Sequence, residues 1–466
     1  MYDRGVPPYA PTKDSLDEHV LPSWFADAKL GIFVHWGPYS VPAWAPTGVT
    51  LPELAKQGFE KAFAGNPYAE WYWNTLAFPD GATRAHHDAT WGRDFPYERF
   101  AALFRDLTRD WSAEPWARLF ARAGARYVVL TTKHHDGFLL WPSAHPSPRM
   151  REWHSERDLV GELTRAVRAA GMRMGLYYSG GIDWPFEGRP VRDIAGLMKA
   201  IPQGADYARY ADAHWRELIE RYAPSVLWND IGYPKAAEPL RLMADYYARV
   251  PDGVVNNRFT TFGYERSEQH FDFTTPEYAV LAEAVPGKWE ACRGVGNSFG
   301  WNRAETEADL LSVEKLVHLL VDVVSKNGNL LLNVGPTGDG TIPFAHAERL
   351  LGLGGWLDVN GEAIFGTRPW LRAASTTSDG QELRFTRKAD AVYALLLGEP
   401  PRARVRIPAL EARAGTRIEM LGRRGALAFT SDANGLELML PGVGGGSPAL
   451  ALRIVPEPGL RETPAT

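Results

Sequence analysis

The chain has 466 residues, with 51 basic and 56 acidic side chains, a net charge of −5 and no run of five or more basic residues, which removes nucleic acid from the expected partners. Its single cysteine, Cys292, excludes a disulfide framework or a thiolate zinc cluster built within one chain and fits a reducing, cytoplasmic setting. No stretch approaches the roughly 20 apolar residues that span a bilayer, and Asp3, Arg4, Lys13, Asp14, Asp17 and Glu18 stand where a secretory apolar segment would lie, so no membrane partner is expected.

In chain order, Gly31 to Val34 reads as a first strand, closing on His35 and Trp36. From residue 116 to 334 one alternation then returns: a helix-period segment, a Gly or Pro, and a short apolar run ending in polar residues. Trp116, Leu119 and Phe120 precede Gly124, and Tyr127 to Leu130 runs toward Lys133, His134 and His135. Leu159, Val160, Leu163 and Val167 precede Gly171, followed by Met174 to Tyr178. Trp215, Leu218, Ile219 and Tyr222 precede Pro224, and Val226 to Trp228 ends in Asn229 and Asp230. Leu240, Met243 and Tyr247 precede Pro251, and Val254-Val255 runs into Asn256, Asn257 and Arg258. Weaker runs at Phe271–Phe273 and Lys288–Cys292 precede a last unit, Leu316 to Val324 with Leu330 to Val334. Eight strand candidates predict an α/β fold, a (β/α)8-like barrel over residues 1–360, irregular across 279–287 where no helix is legible. Beyond about residue 365 the period changes to two, in Glu382–Phe385, Val392–Leu397, Ala403–Ile407, Arg417–Leu421, Leu436–Leu440 and Leu450–Ile454. Asp379-Gly380, Asn434-Gly435 and Gly442–Gly446 supply turns between them, which predicts a C-terminal antiparallel β-sandwich domain over 365–466.

The 17 Trp, 18 Tyr and 20 Phe often neighbour His, Asp or Glu, the mixture with which a carbohydrate site stacks rings and holds hydroxyls, although large cores also consume aromatics. In a barrel the C-terminal strand ends converge on one mouth, and there stand His35, His134, His135, Tyr178, Asp230 and Arg258. Lys133-His134-His135-Asp136 suits a metal poorly, because neighbours on a strand point to opposite faces, and suits paired hydroxyls better, because imidazole both donates and accepts. His86-His87-Asp88 lies in no clear strand and reads as surface or loop. Glu70-Trp71-Tyr72 joins a carboxylate to two rings, a combination found as often in structural segments. Asp230 must be exposed in the mouth or paired, since an unpaired buried carboxylate costs several kcal/mol, and Arg258 at the next strand end is its natural partner. Thr274 to Tyr278 supplies Glu277, a second carboxylate of the kind glycosidic cleavage needs, one acid to attack and one to protonate the leaving oxygen.

These blocks in this order resemble the α-L-fucosidases of glycoside hydrolase family 29. The likeness rests on Gly31–Trp44 (GIFVHWGPYSVPAW), Glu70-Trp71-Tyr72, Lys133–Phe138 with Trp141-Pro142-Ser143, Tyr177-Tyr178-Ser179, Trp228-Asn229-Asp230, Ser298–Arg303 and Asn327–Gly340 (NGNLLLNVGPTGDG), and covers most of the chain from about Trp24 onward. It implies a retaining exo-hydrolase of fucosylated glycans or glycosides with no metal and no cofactor. Its nucleophile would be Asp230 and its acid/base Glu277, with fucose held by His35, Glu70, Trp71, His134, His135, Tyr177, Trp228, Arg258 and Phe299. The stretch from Arg258 to Glu277 is longer than in the members it resembles, so Glu265, Glu268 and Glu70 stand as alternatives for the acid/base. Homo-oligomers are common among those members. Two other classes remain open on sequence: a catalytically silent carbohydrate-binding protein, and a metal-dependent barrel hydrolase using His134, His135 and Asp136.

Overall fold

The computed structural model describes residues 8–187, 190–260, 268–441 and 445–461. Seven parallel strands form one curled sheet: β1 (Leu30–Val34), β2 (Tyr127–Lys133), β3 (Arg173–Ser179), β4 (Val226–Asp230), β5 (Val254–Val255), β6 (Trp289–Gly294) and β7 (Gly328–Val334), in the order β5-β4-β3-β2-β1-β7-β6. Their residues are buried almost without exception, which is why they read as continuous apolar runs rather than alternating ones.

Amphipathic helices link the strands on the outside: α1 (Glu114–Arg122), α2 (Leu159–Ala169), α3 (Ala205–Tyr222), α4 (Pro239–Arg249), α5 (Val313–Ser325) and, after β7, α6 (Phe344–Asn360). Their start signals are local. Asp158 accepts from the Gly161 amide at 2.9 Å to open α2, Ser312 accepts from Lys315 at 3.2 Å to open α5, and Pro239 stands in the first turn of α4.

The sheet's two edges, β5 and β6, are joined where an eighth strand was expected. Phe271–Phe273 makes no regular strand. Single parallel bridges Asn256↔Phe273, Thr274↔Trp289 and Glu277↔Cys292 carry the chain across the gap instead. The irregularity has a chemical cause: the Asp272 carboxylate takes the Val255 amide at 2.7 Å and also binds Tyr247 and His19, so a side chain competes for a donor that a ladder would have used. Residues 279–287 form no helix, as their sequence suggested.

Close packing sets the strand ends. A Cβ on Gly31 would lie 2.4 Å from the Tyr127 ring, which fills the barrel interior there, and one on Gly181 would lie 1.7 Å from the Ile231 carbonyl oxygen. Glycine at 181 therefore lets the turns after β3 and β4 press together, and its amide donates to the Asp230 carbonyl at 3.0 Å.

The C-terminal region holds β8 (Arg368–Thr376), β9 (Glu382–Lys388), β10 (Ala391–Leu397), β11 (Arg404–Ile407), β12 (Leu410–Glu411), β13 (Arg417–Met420), β14 (Phe429–Asp432), β15 (Gly435–Met439), β16 (Ala449–Val455) and β17 (Gly459–Leu460). They form antiparallel sheets of five (β13-β16-β10-β9-β8), three (β11-β15-β14) and two (β12-β17) strands. The six expected strands each correspond to one of these. The long β8 went unread because Pro369 interrupts it and its burial does not alternate. Along β10, Val392, Ala394 and Leu396 join the core between the sheets, while Ala391, Tyr393 and Leu395 join the barrel's own core. No helix among the described residues is long and apolar enough to cross a membrane. Asp3, Arg4, Glu265 and residues 442–444 of the glycine-rich turn lie outside the described residues.

Candidate active site

One cavity of about 280 Å³ opens at the C-terminal ends of the barrel strands, and its wall includes Asp230, Glu277, His35, Glu70, Trp71, His134, His135, Tyr177, Trp228, Arg258 and Phe299. The eleven residues expected to act on the substrate are thus brought to one place, whereas Tyr178, expected at the same mouth, turns away from the cavity, its hydroxyl 2.9 Å from His214 Nδ1.

Asp230 ends β4 and is 7% exposed. Its Oδ1 accepts from Arg258 Nη1 at 2.8 Å and its Oδ2 from the Tyr177 hydroxyl at 2.8 Å, with His135 Nε2 at 3.9 Å. Burial, the largest single influence, raises this carboxyl, but the Arg258 guanidinium acting together with His135 and the Tyr177 hydroxyl outweighs it and holds the group below the usual carboxylate range. Arg258 lies on the short turn after β5. Its Nε donates to Thr275 Oγ1 at 2.8 Å, its Nη2 donates to Glu277 Oε2 at 3.2 Å, and the guanidinium sits 4.6 Å from the Trp228 ring centroid. One planar cation therefore bridges both candidate carboxylates. Glu277, the more exposed of the two, also accepts from the Tyr68 hydroxyl through Oε1 at 3.0 Å.

The three histidines are neutral ligands. Burial pushes His35 down to about 3 and His135 down to about 4, and takes His134 well below the ordinary imidazole value. Ser179 Oγ donates to the Ile182 carbonyl at 2.7 Å, so its contact with His135 Nδ1 at 2.7 Å is one it accepts, which leaves His135 Nε2 as the ring's acceptor. By the same logic Asn333 fixes His35: the amide Nδ2 donates to the Phe299 carbonyl at 2.6 Å and Oδ1 accepts from Nδ1 at 2.7 Å. Replacing Asn333 by Ala is expected to raise KM for the substrate roughly 5- to 100-fold, the cost of a lost buried hydrogen bond, with kcat changing less. Steady-state kinetics check this, and an unchanged KM would refute the role.

Glu70, on the turn Ala69–Trp71, accepts from the Gly300 amide at 2.7 Å, and burial raises its carboxyl to about 8 despite that donor. It therefore ties the segment carrying Phe299 to the pocket wall. Phe33, Tyr177 and Trp228 form a continuous ring wall, with centroids 4.9 Å apart for Phe33 and Trp228 and 5.5 Å for the stacked Tyr177 and Trp228.

Some expectations are corrected. His86-His87-Asp88 is helical, within Ala82–Thr90, and His87 is buried between the Tyr72 hydroxyl and the Phe95 carbonyl. Asp136 turns away from the cavity to the Tyr97 hydroxyl at 2.8 Å and the Phe138 amide at 3.1 Å. Among the described residues His134, His135 and Asp136 do not bring three donors to one point. Of the alternatives to Glu277, Glu268 is exposed and forms no part of the cavity wall, Glu265 lies outside the described residues, and Glu70 is buried and bound to Gly300. Sequence reasoning gave no site role to Tyr68, Cys292 or Asn333, although Asn333 stands in the block Asn327–Gly340 and Cys292 ends the run Lys288–Cys292. It also missed Glu290, whose Oε1 accepts from Trp228 Nε1 at 2.9 Å below the site. Glu290 was legible only as a carboxylate inside a buried strand, a signal that it must have partners.

A barrel whose mouth holds an arginine-bridged pair of carboxylates among stacked rings and neutral imidazoles is the arrangement of a glycoside hydrolase. The sequence model for alpha-L-fucosidase matches residues 4–362, and the chain belongs to that family, glycoside hydrolase family 29. It is 34% identical over 448 residues to the tissue alpha-L-fucosidase of Bos taurus, covering 93% of this chain and 87% of the bovine one. It is 44% identical to the crystal structure of Thermotoga maritima alpha-fucosidase in complex with a mechanism-based inhibitor, with a TM-score of 0.86 over 96% of this chain and all of that one. An alpha-L-fucosynthase from the same organism gives 44% and a TM-score of 0.87, over 97% of this chain and 100% of that one. The protein is an α-L-fucosidase, a glycoside hydrolase.

Proposed function

We propose that the protein is a retaining exo-α-L-fucosidase acting by double displacement on terminal α-L-fucosides of glycans or glycosides. Asp230 attacks the anomeric carbon, the bond to the leaving oxygen breaks, and Glu277 gives its proton to that oxygen. Glu277 then takes a proton from water, whose oxygen attacks the same carbon and expels Asp230, so configuration is inverted twice and kept. The observation that carries this reading is the single guanidinium of Arg258 shared by Asp230 and Glu277. Two acids hung on neighbouring nitrogens of one cation suit the roughly 5–5.5 Å separation of direct attack better than the roughly 6.5–9.5 Å that leaves room for a water. Tyr68 supports the same assignment by fixing the other oxygen of Glu277.

Fucose selectivity follows from the wall chemistry. The rings of Phe33, Trp228 and Phe299 offer an apolar surface for the C6 methyl, where the extra hydroxyl of galactose would lose its hydrogen bonds to water without replacement. Nitrophenyl α-L-fucoside hydrolysis with retention, read by NMR of the first-formed sugar, tests the mechanism, and β-fucose as the α substrate's first product would reject it.

Glu277→Ala separates the acid from its alternatives. With a nitrophenolate leaving group, which departs without a proton, glycosylation is expected to be little affected. Alkyl fucosides, whose leaving oxygen must be protonated, are expected to lose roughly 10²- to 10⁴-fold. Equal losses on both substrates in pre-steady-state measurements would move the acid role elsewhere.

A further inference from the structure

The cavity does not end at the sugar-binding wall. Its outer part is built by two short helices inserted between β1 and α1, Leu51–Lys56 and Phe59–Ala64, and by the helix Ile194–Lys199 from the β3–α3 connection. Leu51, Ala55, Phe59, Phe63, Ile194 and Leu197 face this space. Two of the three helices carry side-chain caps: Thr50 and Glu53 form a capping box on the first, and Asp193 caps the third through the Gly196 amide at 2.6 Å. Phe59 is 50% exposed and Ile194 41%, so two large apolar side chains stand in solvent at the rim of a catalytic cavity. The collar is continuous with the sugar pocket, because Phe63 packs on Trp71 with ring centroids 6.0 Å apart. Among the described residues the outer wall's polar side chain is Asn66, and its Oδ1 already accepts from the Tyr68 amide at 2.9 Å.

The two ends of the cavity thus have opposite chemistry. The inner end offers imidazoles, carboxylates and a guanidinium to hydroxyls, and the outer end offers almost only carbon. A second sugar placed there would leave its hydroxyls facing apolar side chains, whereas an aryl or alkyl group would cover Phe59 and Ile194. We infer that the leaving-group side of the site takes an apolar aryl or alkyl aglycone in preference to a second sugar. The inference rests on the fucosidase reading and adds the class of aglycone to it.

The test compares methyl α-L-fucoside, octyl α-L-fucoside and an α-L-fucosyl-galactose disaccharide. Methanol and octanol are similar leaving groups, so their ratio isolates binding beyond the glycosidic oxygen. Octyl fucoside is expected to exceed methyl fucoside in kcat/KM by about tenfold or more, mostly through KM, and to exceed the disaccharide. In the double variant Phe59→Ser, Ile194→Ser the octyl-to-methyl ratio is expected to fall to about two. Because the readout is a ratio, general damage to folding does not imitate it. A ratio near one in the parent, a disaccharide faster than the octyl compound, or a ratio unaltered in the double variant would each overturn the inference while leaving fucosidase activity intact. Sedimentation velocity adds one more outcome: a dimer converted to a monomer by the double variant, with the ratio unchanged, would assign the rim to a second copy of the chain and overturn the inference. Hydrolysis of none of the three compounds, nor of nitrophenyl fucoside, would overturn the fucosidase reading and the inference together.

Discussion

Asp230→Gly is expected to lower kcat by roughly 10³-fold or more, because it removes the carboxylate proposed to form the glycosyl-enzyme bond. The fold should survive the change. Asp230 lies at a strand end, and although its side chain accepts from Arg258 and Tyr177, removing it leaves Arg258 still bound to Thr275 and Glu277. Azide is small enough to enter the space vacated by the carboxylate. With an activated fucoside it should restore part of the turnover and give β-fucosyl azide, since it attacks from the face opposite the leaving group. Recovery of the α-azide would contradict the assignment, as would a glycine variant that retains a tenth of parent activity. Product NMR distinguishes the two anomers.

The second large effect is expected at Arg258. Its guanidinium is the cation that offsets the burial of Asp230, so Arg258→Met leaves the carboxylate with hydrogen bonds from Tyr177 and the Ile231 amide but no compensating charge. Losing such a fixed charge next to the reacting centre is expected to cost roughly 10²- to 10³-fold in kcat. The sign of the pH effect follows. In the parent, the Asp230 carboxyl lies below its ordinary value, so its favourable contribution to stability is present above that ordinary value and lost as pH falls through the folded one. In the variant burial, the largest influence on the carboxyl, is opposed only by the remaining hydrogen bonds and raises it, so ionisation becomes a cost that grows as pH rises. The acid limb of kcat/KM should therefore move to higher pH. The loss of Tm should be largest near neutrality, where an uncompensated buried charge costs about 3–5 kcal/mol, and shrink on acidification. A pH profile that keeps the parent's acid limb would show that Arg258 does not control Asp230.

The reach of the sequence can be judged from particular residues. A carboxylate ending a buried strand needs a cation at the neighbouring strand end, which pairs Asp230 with Arg258 from sequence, and the two lie 2.8 Å apart. The strands were legible because parallel strands covered on both sides are continuous apolar runs. Phe271–Phe273 misled for the same reason: its composition suits a strand, and only the three-dimensional meeting of Asp272 with the Val255 amide shows why it is not one. His86-His87-Asp88 looked loop-like because its apolar spacing is weak, although one imidazole faces the interior of a helical segment. Asn333 and Tyr68 act on residues hundreds of positions away, His35 and Glu277, at separations of 298 and 209 residues. Single-chain patterning carries no trace of such partners. The apolar collar escaped notice because LPELAKQGFEKAFA is an ordinary amphipathic stretch until the fold turns its greasy side toward a catalytic opening.

Strand β10 feeds two cores, one on each side of the five-stranded sheet, and the Trp356 indole of α6 donates to the Ala449 carbonyl at 2.9 Å. The sheet region is consequently a load shared with the barrel wall rather than an appendage on a tether. Exchanging it for a foreign module would strip carbon surface from α5 and α6 and unsettle the barrel that carries the mouth.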